Sequence, residues 1–100
     1  MKEPLSFEPG RVVLSTQGRD RGKYFLILEN LGDGMVLMAD GLNHRLERPK
    51  KKKTRHLHAK PIVVNLLTVR PEGGQIQDSD LRRALEQNGF SVVRSLCKEG

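Results

Sequence analysis

Two apolar runs joined by a short polar connection constrain the fold of this chain more than any other feature. Val12–Leu14 and Tyr24–Leu28 are rich in β-branched and aromatic residues. Such runs, bounded by turn formers, are typical of β-strands. The connection between them, Ser15–Lys23, is polar and basic and contains Gly18 and Gly22. It is too short for a crossover helix, so the two strands are predicted to pair antiparallel.

Further turn signals predict three more short strands. Asp33-Gly34 is a strong hairpin signal because this pair suits a turn with positive φ, and Asp40-Gly41 predicts a second turn. Pro49 interrupts the chain before the last strand. The five strands are predicted at about Arg11–Ser15, Lys23–Glu29, Met35–Ala39, His44–Glu47 and Lys51–His58. The fold is therefore expected to be mainly β, a small, strongly bent antiparallel barrel similar to the SH3-like kind.

Two of these strands are apolar at every position. A half-buried strand alternates apolar with polar residues, and Tyr24–Leu28 and Met35–Ala39 do not. Something must therefore cover the outer wall of the barrel, and residues 59–100 are expected to do so as an α/β extension. A helix is predicted at about residues 79–88, with N-cap candidates in Asp78–Asp80 and a stop at Gly89, followed by an edge strand from Phe90. The covering residues are predicted to be Leu81, Leu85, Phe90 and Val92.

The positive charge of the chain is concentrated in one segment. Eight Lys or Arg residues and one acid, Glu47, lie between Arg45 and Lys60, whereas the rest of the chain holds ten basic and eleven acidic residues. A patch of this sign most often binds nucleic acid. The alternatives are a solvated charged face or a nuclear-localisation-like pattern for the lysine run, and ordinary surface charges for the loop Gln17–Lys23. The candidate RNA-binding residues are Arg19, Arg21, Gly22, Lys23, Lys50, Lys51, Lys52, Lys53, Arg55 and His56.

The glycine-containing hairpin resembles the KOW motif of large-subunit ribosomal proteins and transcription-elongation factors. The matching residues are Gly10, Val12-Val13, Gly18, Gly22-Lys23, the Ala39-Asp40-Gly41 turn and the lysine-rich strand, which together span about residues 10–58. Within this family the chain resembles the archaeal and eukaryotic ribosomal protein group fourteen-e and its small bacterial counterparts. The resemblance implies a non-enzymatic module that binds structured, ribosomal RNA and works at the ribosome or in translation, with ribosomal proteins as further partners. The alternative is a protein-interaction or transcription-elongation KOW module.

Other functions have weaker support in the sequence. There is no Gly-x-Ser-x-Gly elbow and no P-loop, so an enzyme is not expected. His56 and His58, with His44 or Cys97, lack the paired spacing of a metal site, and no metal or cofactor is expected. The four aromatic rings lie in apolar contexts, with Tyr24 alone suited to stacking on a base, so phosphate and shape contacts are predicted instead.

The remaining expectations concern the chain as a whole. The N-terminus lacks a signal-peptide pattern, and the single Cys97 forms no internal disulfide, so a cytoplasmic protein is expected. No membrane span is predicted, and the protein is expected to be a monomer. Residues 1–9 are predicted to be a leader, either pinned to the barrel by Phe7 or loose. Residues 10–58 form the predicted barrel and residues 59–100 the extension.

Overall fold

Five short strands form one antiparallel sheet, and one helix packs against it. The structure is a computed structural model that describes residues 5–66 and 75–92. The elements are β1 (Arg11–Ser15), β2 (Tyr24–Gly32), β3 (Met35–Ala39), β4 (Lys50–Lys53), a 3₁₀ turn (Thr54–His56), β5 (Leu57–Val63) and α1 (Asp78–Gln87). The mainly β, antiparallel fold with one helix is thus confirmed.

The strand order in the sheet is β4-β3-β2-β1-β5. Val13 pairs with Phe25 of β2 on one side and with Ala59 of β5 on the other, so β1 lies between β2 and β5. β4 and β5 are the two edges, and the described residues form no ladder between them. The sheet is open, and closure into a barrel is not confirmed.

The predictions for the fourth and fifth strands are wrong. His44–Glu47 is not a strand, because the Asp40 carboxylate holds this part of the chain in a local turn. Its Oδ1 accepts the backbone N–H groups of Leu42 at 2.9 Å, Asn43 at 2.8 Å and His44 at 3.0 Å, so those donors are not free for a ladder. Lys51–His58, predicted as one strand, is divided by the 3₁₀ turn into β4 and the start of β5.

The sheet is buried on both faces, as its apolar strands predict. One hydrophobic cluster, here called the inner cluster, consists of Val13, Phe25, Ile27, Val36, Met38 and Leu57, with Phe7 packed against it. The alternate residues of the same strands face the other way. Val12, Leu26 and Ala39 pack against α1 through Leu81, Ala84 and Leu85. Neighbouring residues therefore enter different cores, which explains why the strands do not alternate.

The predicted covering residues all pack on this outer face. Leu81 and Leu85 are fully buried, and Phe90 and Val92 pack partly buried against the same cluster. The rings of Phe90 and Tyr24 lie 4.7 Å apart between centroids. Phe90–Val92 is not part of a strand, and the rest of the predicted edge strand lies outside the described residues. Gly89 ends the helix in a left-handed conformation, as expected.

The N-cap of α1 lies one residue before the predicted candidates, Asp78–Asp80. Gln77 is the N-cap, and Asp80 at N3 accepts its backbone N–H at 2.8 Å in a capping box. Asp78 instead accepts the backbone N–H of Leu46 at 2.8 Å, which attaches the helix to the turn after β3. Gly41 in that turn has φ +80°, and a Cβ there would collide with the Asp78 carbonyl oxygen. Arg82 also donates a hydrogen bond to the Gly41 carbonyl.

The N-terminal segment is attached to the sheet from Ser6 onward. Asn30 Nδ2 donates to the Phe7 carbonyl at 3.0 Å, and Arg11 Nε donates to the Ser6 carbonyl at 2.7 Å. β5 runs across residue 58, where the predicted barrel ends, and the division into leader, barrel and extension stays a prediction. Within the described residues, no helix has both the length and the hydropathy that crossing a bilayer requires.

Truncating the helix side of the outer core should destabilise the whole domain. We expect Leu85→Ala to lower the free energy of unfolding by about 2–5 kcal/mol, because Leu85 is completely buried between α1 and the sheet. The control is Leu31→Ala, since Leu31 is 41% exposed, and its expected effect is below about 0.5 kcal/mol. Urea unfolding followed by circular dichroism measures both; equal, small effects would contradict the packing of α1 on the sheet.

Candidate nucleic-acid interface

The four lysines of β4 lie on an edge strand and point to both faces of the sheet. Lys50 and Lys52 pair with Met38 and Val36, so they share the face of the inner cluster. Lys51 pairs with Leu37 and Lys53 pairs with Met35, so these two lysines point the other way. Lysines on an edge strand discourage pairing with another chain and leave their charges in solvent.

The loop between β1 and β2, residues 16–23, is closed by backbone hydrogen bonds at its base. Ser15 N–H donates to the Lys23 carbonyl at 2.9 Å, and Gly22 N–H donates to the Ser15 carbonyl at 2.8 Å. Gly22 has φ +86°, and a Cβ there would meet nothing within 4 Å. The turn therefore requires glycine for its left-handed backbone, and the chain itself does not crowd this position. Arg19 and Arg21 are exposed at the tip.

The structure brings this loop and β4 together. Lys52 Nζ donates to the Gln17 carbonyl at 3.0 Å, although β2 and β3 lie between β4 and β1 in the sheet. The backbone N–H and the hydroxyl of Thr16 both donate to the His56 carbonyl at 2.9 Å. The start of the loop, Lys52 and His56 thus form one continuous surface. Arg19 and Arg21 belong to the same loop, and among the described residues no hydrogen bond or ion pair joins their side chains to β4.

The positive charges of this surface are not neutralised by the chain's described carboxylates. Within residues 5–66 and 75–92, ion pairs shorter than 4 Å form between Arg11 and Glu8 and between Arg83 and Asp80, and the His44 ring lies within hydrogen-bonding distance of Asp20. None of them involves a predicted RNA-binding residue. We call this group the cationic surface: Arg19, Arg21, Lys23, Lys50, Lys51, Lys52, Lys53, Arg55 and His56.

The electrostatics of the cationic surface act on His56. Desolvation, and then the positive charges of Arg55, Lys52 and Lys53, lower the pKa of His56 below its usual value of 6.5. These cations favour the neutral imidazole because a protonated ring would add one more like charge. The lowered pKa therefore favours the neutral imidazole of His56 near pH 7.

One acid lies within the basic loop, and the fold turns it inward. Asp20 is only 7% exposed, and its Oδ2 lies 3.0 Å from Nε2 of His44. The backbone of His44 is held by Asp40, and its ring lies 5.6 Å from that of Phe25. His44 therefore keeps the only carboxylate of the loop away from the cations at its surface. Local sequence patterns did not predict this pair, although an aspartate between two arginines of a basic loop is unusual enough to indicate a specific partner.

Metal ligands are not grouped in the part of the chain that the structure describes. No three His, Cys, Asp or Glu side chains there are close enough to hold a metal ion together. The ring of His44 is used by Asp20, and Cys97 lies outside the described residues.

A comparison of the chain with models of known protein families finds no match. The resemblance to the KOW motif therefore stays an inference from the residues that carry it.

The interaction of His44 with Asp20 should contribute measurably to stability. We expect His44→Ala to cost about 1–3 kcal/mol of unfolding free energy, because the largely buried Asp20 carboxylate loses its partner. His58→Ala is the control, since His58 is an exposed histidine on β5. A double-mutant cycle with Asp20→Asn separates the pair from the packing of the ring against Phe25. Its coupling energy should be at least about 0.5 kcal/mol, and a value near zero would contradict the interaction.

Proposed function

We propose that the protein is a non-enzymatic RNA-binding module that holds structured RNA, ribosomal RNA in particular, through its phosphates and its shape. The observation that carries the proposal is the junction of the β1–β2 loop with β4 at the Lys52–Gln17 hydrogen bond. It joins two cationic segments that lie far apart in sequence, and no described carboxylate pairs with them. Lys and Arg contacts to phosphate supply affinity with little sequence preference.

The link to the ribosome and to translation rests on the KOW resemblance. Gly10, Gly18 and Gly22 all adopt positive φ, which fits a motif that requires glycine at these points. Gly22-Lys23 lies in the loop proposed to contact RNA. A monomeric protein in the cytoplasm, with ribosomal RNA and neighbouring ribosomal proteins as partners, is the setting that this resemblance supports.

The aromatic residues favour contacts to phosphate over stacking of bases. Phe25 is fully buried and Phe7 packs on the inner cluster. Tyr24, the candidate for stacking, packs its ring against Phe90, and Lys60 Nζ lies 6.0 Å from its centroid. Proteins that bind single strands stack bases on exposed rings, and these rings are engaged within the protein. Folded RNA, recognised by backbone and shape, fits this surface better.

The protein-interaction alternative depended on an apolar outer wall left free for a partner. Leu81 and Leu85 of the chain's own helix pack on that wall. The observation that would have favoured this alternative is therefore absent from the described residues, and RNA binding is the function we carry forward.

The dependence of affinity on salt tests the proposal. For a structured RNA hairpin, log K should fall linearly with log salt concentration, with a slope of roughly −0.7 to −0.9 for each phosphate neutralised. Two variants with equal loss of charge then locate the interface. Lys52→Gln/Arg55→Gln should reduce the slope by about two units. Arg45→Gln/Arg83→Gln, which removes two exposed cations from the side of α1, should leave the slope unchanged.

A wild-type slope near zero would contradict RNA binding through phosphates. Equal effects of the two double variants would mean that net charge, and not the cationic surface, determines the affinity. Fluorescence anisotropy with two hairpins of unrelated sequence measures both quantities, and the loss should be similar for the two sequences because phosphate contacts do not distinguish bases.

Acidification should strengthen RNA binding through His56. A phosphate near the ring raises its lowered pKa, so binding takes up protons, and affinity should increase as the pH falls from about 7.5 to about 5.5. His56→Gln should flatten this dependence. The stability of the free protein changes with pH in the opposite direction. Because the pKa of His56 is lowered in the folded protein, its contribution to the free energy of unfolding is lost as the pH falls below 6.5. An affinity profile unchanged by His56→Gln would contradict a role for His56.

A further inference from the structure

A depression of about 300 Å³ lies next to the cationic surface, where the turn between β2 and β3 meets the 3₁₀ turn. Thr54 N–H donates to the Gly34 carbonyl at 2.8 Å, so a backbone hydrogen bond joins its two walls. Met35 pairs with Lys53 in the register of β3 and β4 and contributes an apolar surface. The lining residues are Asp33, Gly34, Met35, Lys53, Thr54 and Arg55. The volume corresponds to a small ligand or one nucleotide.

The charges around this depression are opposite in sign and unpaired. Asp33 lines it together with Lys53 and Arg55, yet no ion pair within 4 Å forms between the carboxylate and either cation. These three side chains are exposed, and none of them forms a hydrogen bond or an ion pair with another described residue. A ligand that satisfies all of these side chains offers hydrogen-bond donors to the carboxylate, negative charge to the two cations, and a flat apolar body toward Met35.

We propose that this depression binds a guanine nucleotide. The Asp33 carboxylate accepts the adjacent N1–H and N2–H donors of guanine, Met35 packs against the base, and Lys53 and Arg55 bind the phosphate. Guanine is favoured because its Watson–Crick edge places two donors side by side, whereas adenine and cytosine place an acceptor next to their donor. That acceptor would face a carboxylate oxygen and be repelled.

The source of the nucleotide is either an unpaired guanosine in RNA or a free guanine nucleotide. The first source rests on the proposed function, because Lys53 and Arg55 belong to the cationic surface; the second is independent of it. Unpaired bases are the part of a folded RNA whose Watson–Crick edges are accessible to side chains. An unpaired guanosine would add a base-specific contact to a surface that otherwise holds phosphates.

Turn geometry alone does not require the negative charge of Asp33. The residue has φ +56°, and it lies between Gly32 and Gly34, which also have positive φ. Asparagine tolerates this conformation at least as well as aspartate does. Asp33→Asn therefore keeps the turn while it replaces a pair of acceptors by one donor and one acceptor, which makes it a clean test of the base contact.

The first experiment uses the free nucleotides GMP and AMP with ¹⁵N-labelled full-length protein. We expect GMP to shift the amide signals of residues 32–35 and 53–55 and to bind about five- to tenfold more tightly than AMP. Asp33→Asn should abolish this preference. Glu86→Gln, which removes an exposed carboxylate from α1, should preserve it. Equal binding of GMP and AMP, shifts elsewhere in the protein, or an unchanged preference in Asp33→Asn would each overturn the proposal.

The second experiment identifies the source with two RNA hairpins that differ only in one unpaired G or A. Tighter binding of the G hairpin by about five- to tenfold, lost in Asp33→Asn, supports a guanosine of RNA. Equal binding of the hairpins, with the GMP preference intact, supports the free nucleotide. Binding of GMP without salt-dependent RNA binding would count against the proposed function alone. Salt-dependent RNA binding without a preference for GMP would count against this site alone.

Discussion

The burial of the sheet on both faces is the constraint on which the rest of the structure depends. Neighbouring residues such as Val12 and Val13 enter different cores, one under α1 and one within the curved sheet. The sheet must therefore bend over its inner side and carry the helix on its outer side. Bending brings Lys52 of one edge within hydrogen-bonding distance of the Gln17 carbonyl in the loop after β1. The cationic surface is a consequence of this packing.

Several of the described aspartates form hydrogen bonds inside the fold and do not pair with the cationic surface. Asp40 caps the turn after β3, Asp80 completes the capping box of α1, and Asp20 is held by His44. Each of these acids lies where backbone donors or an imidazole satisfy it, so none screens the lysines of β4. Asp33 is different because it stays exposed beside Lys53 and Arg55. Its exposure sets the turn at Asp33 apart from the turns whose aspartates, Asp20 and Asp40, are buried.

Much of the fold could be predicted from local patterns, and the failures have a physical cause. The bounds of β1 and β3 and the helix near residue 79 follow from apolar runs and turn residues. The fourth strand does not, because the hydrogen bonds of Asp40 to three backbone amides outweigh the weak strand preference of His44–Glu47. The His44–Asp20 pair and the approach of Lys52 to Gln17 join distant parts of the chain, and no local pattern reports such contacts.

The position of four lysines on an open edge also bears on self-association. An edge strand exposes unpaired backbone groups that can join a second copy of the chain, and β4 is such a strand. Repulsion between the lysine ammonium groups of two β4 strands opposes pairing of two copies of the chain at this edge. Replacing these residues by neutral ones would therefore expose an edge able to extend the sheet into a neighbouring molecule. Solubility thus limits how far this strand can change, whatever ligand it meets.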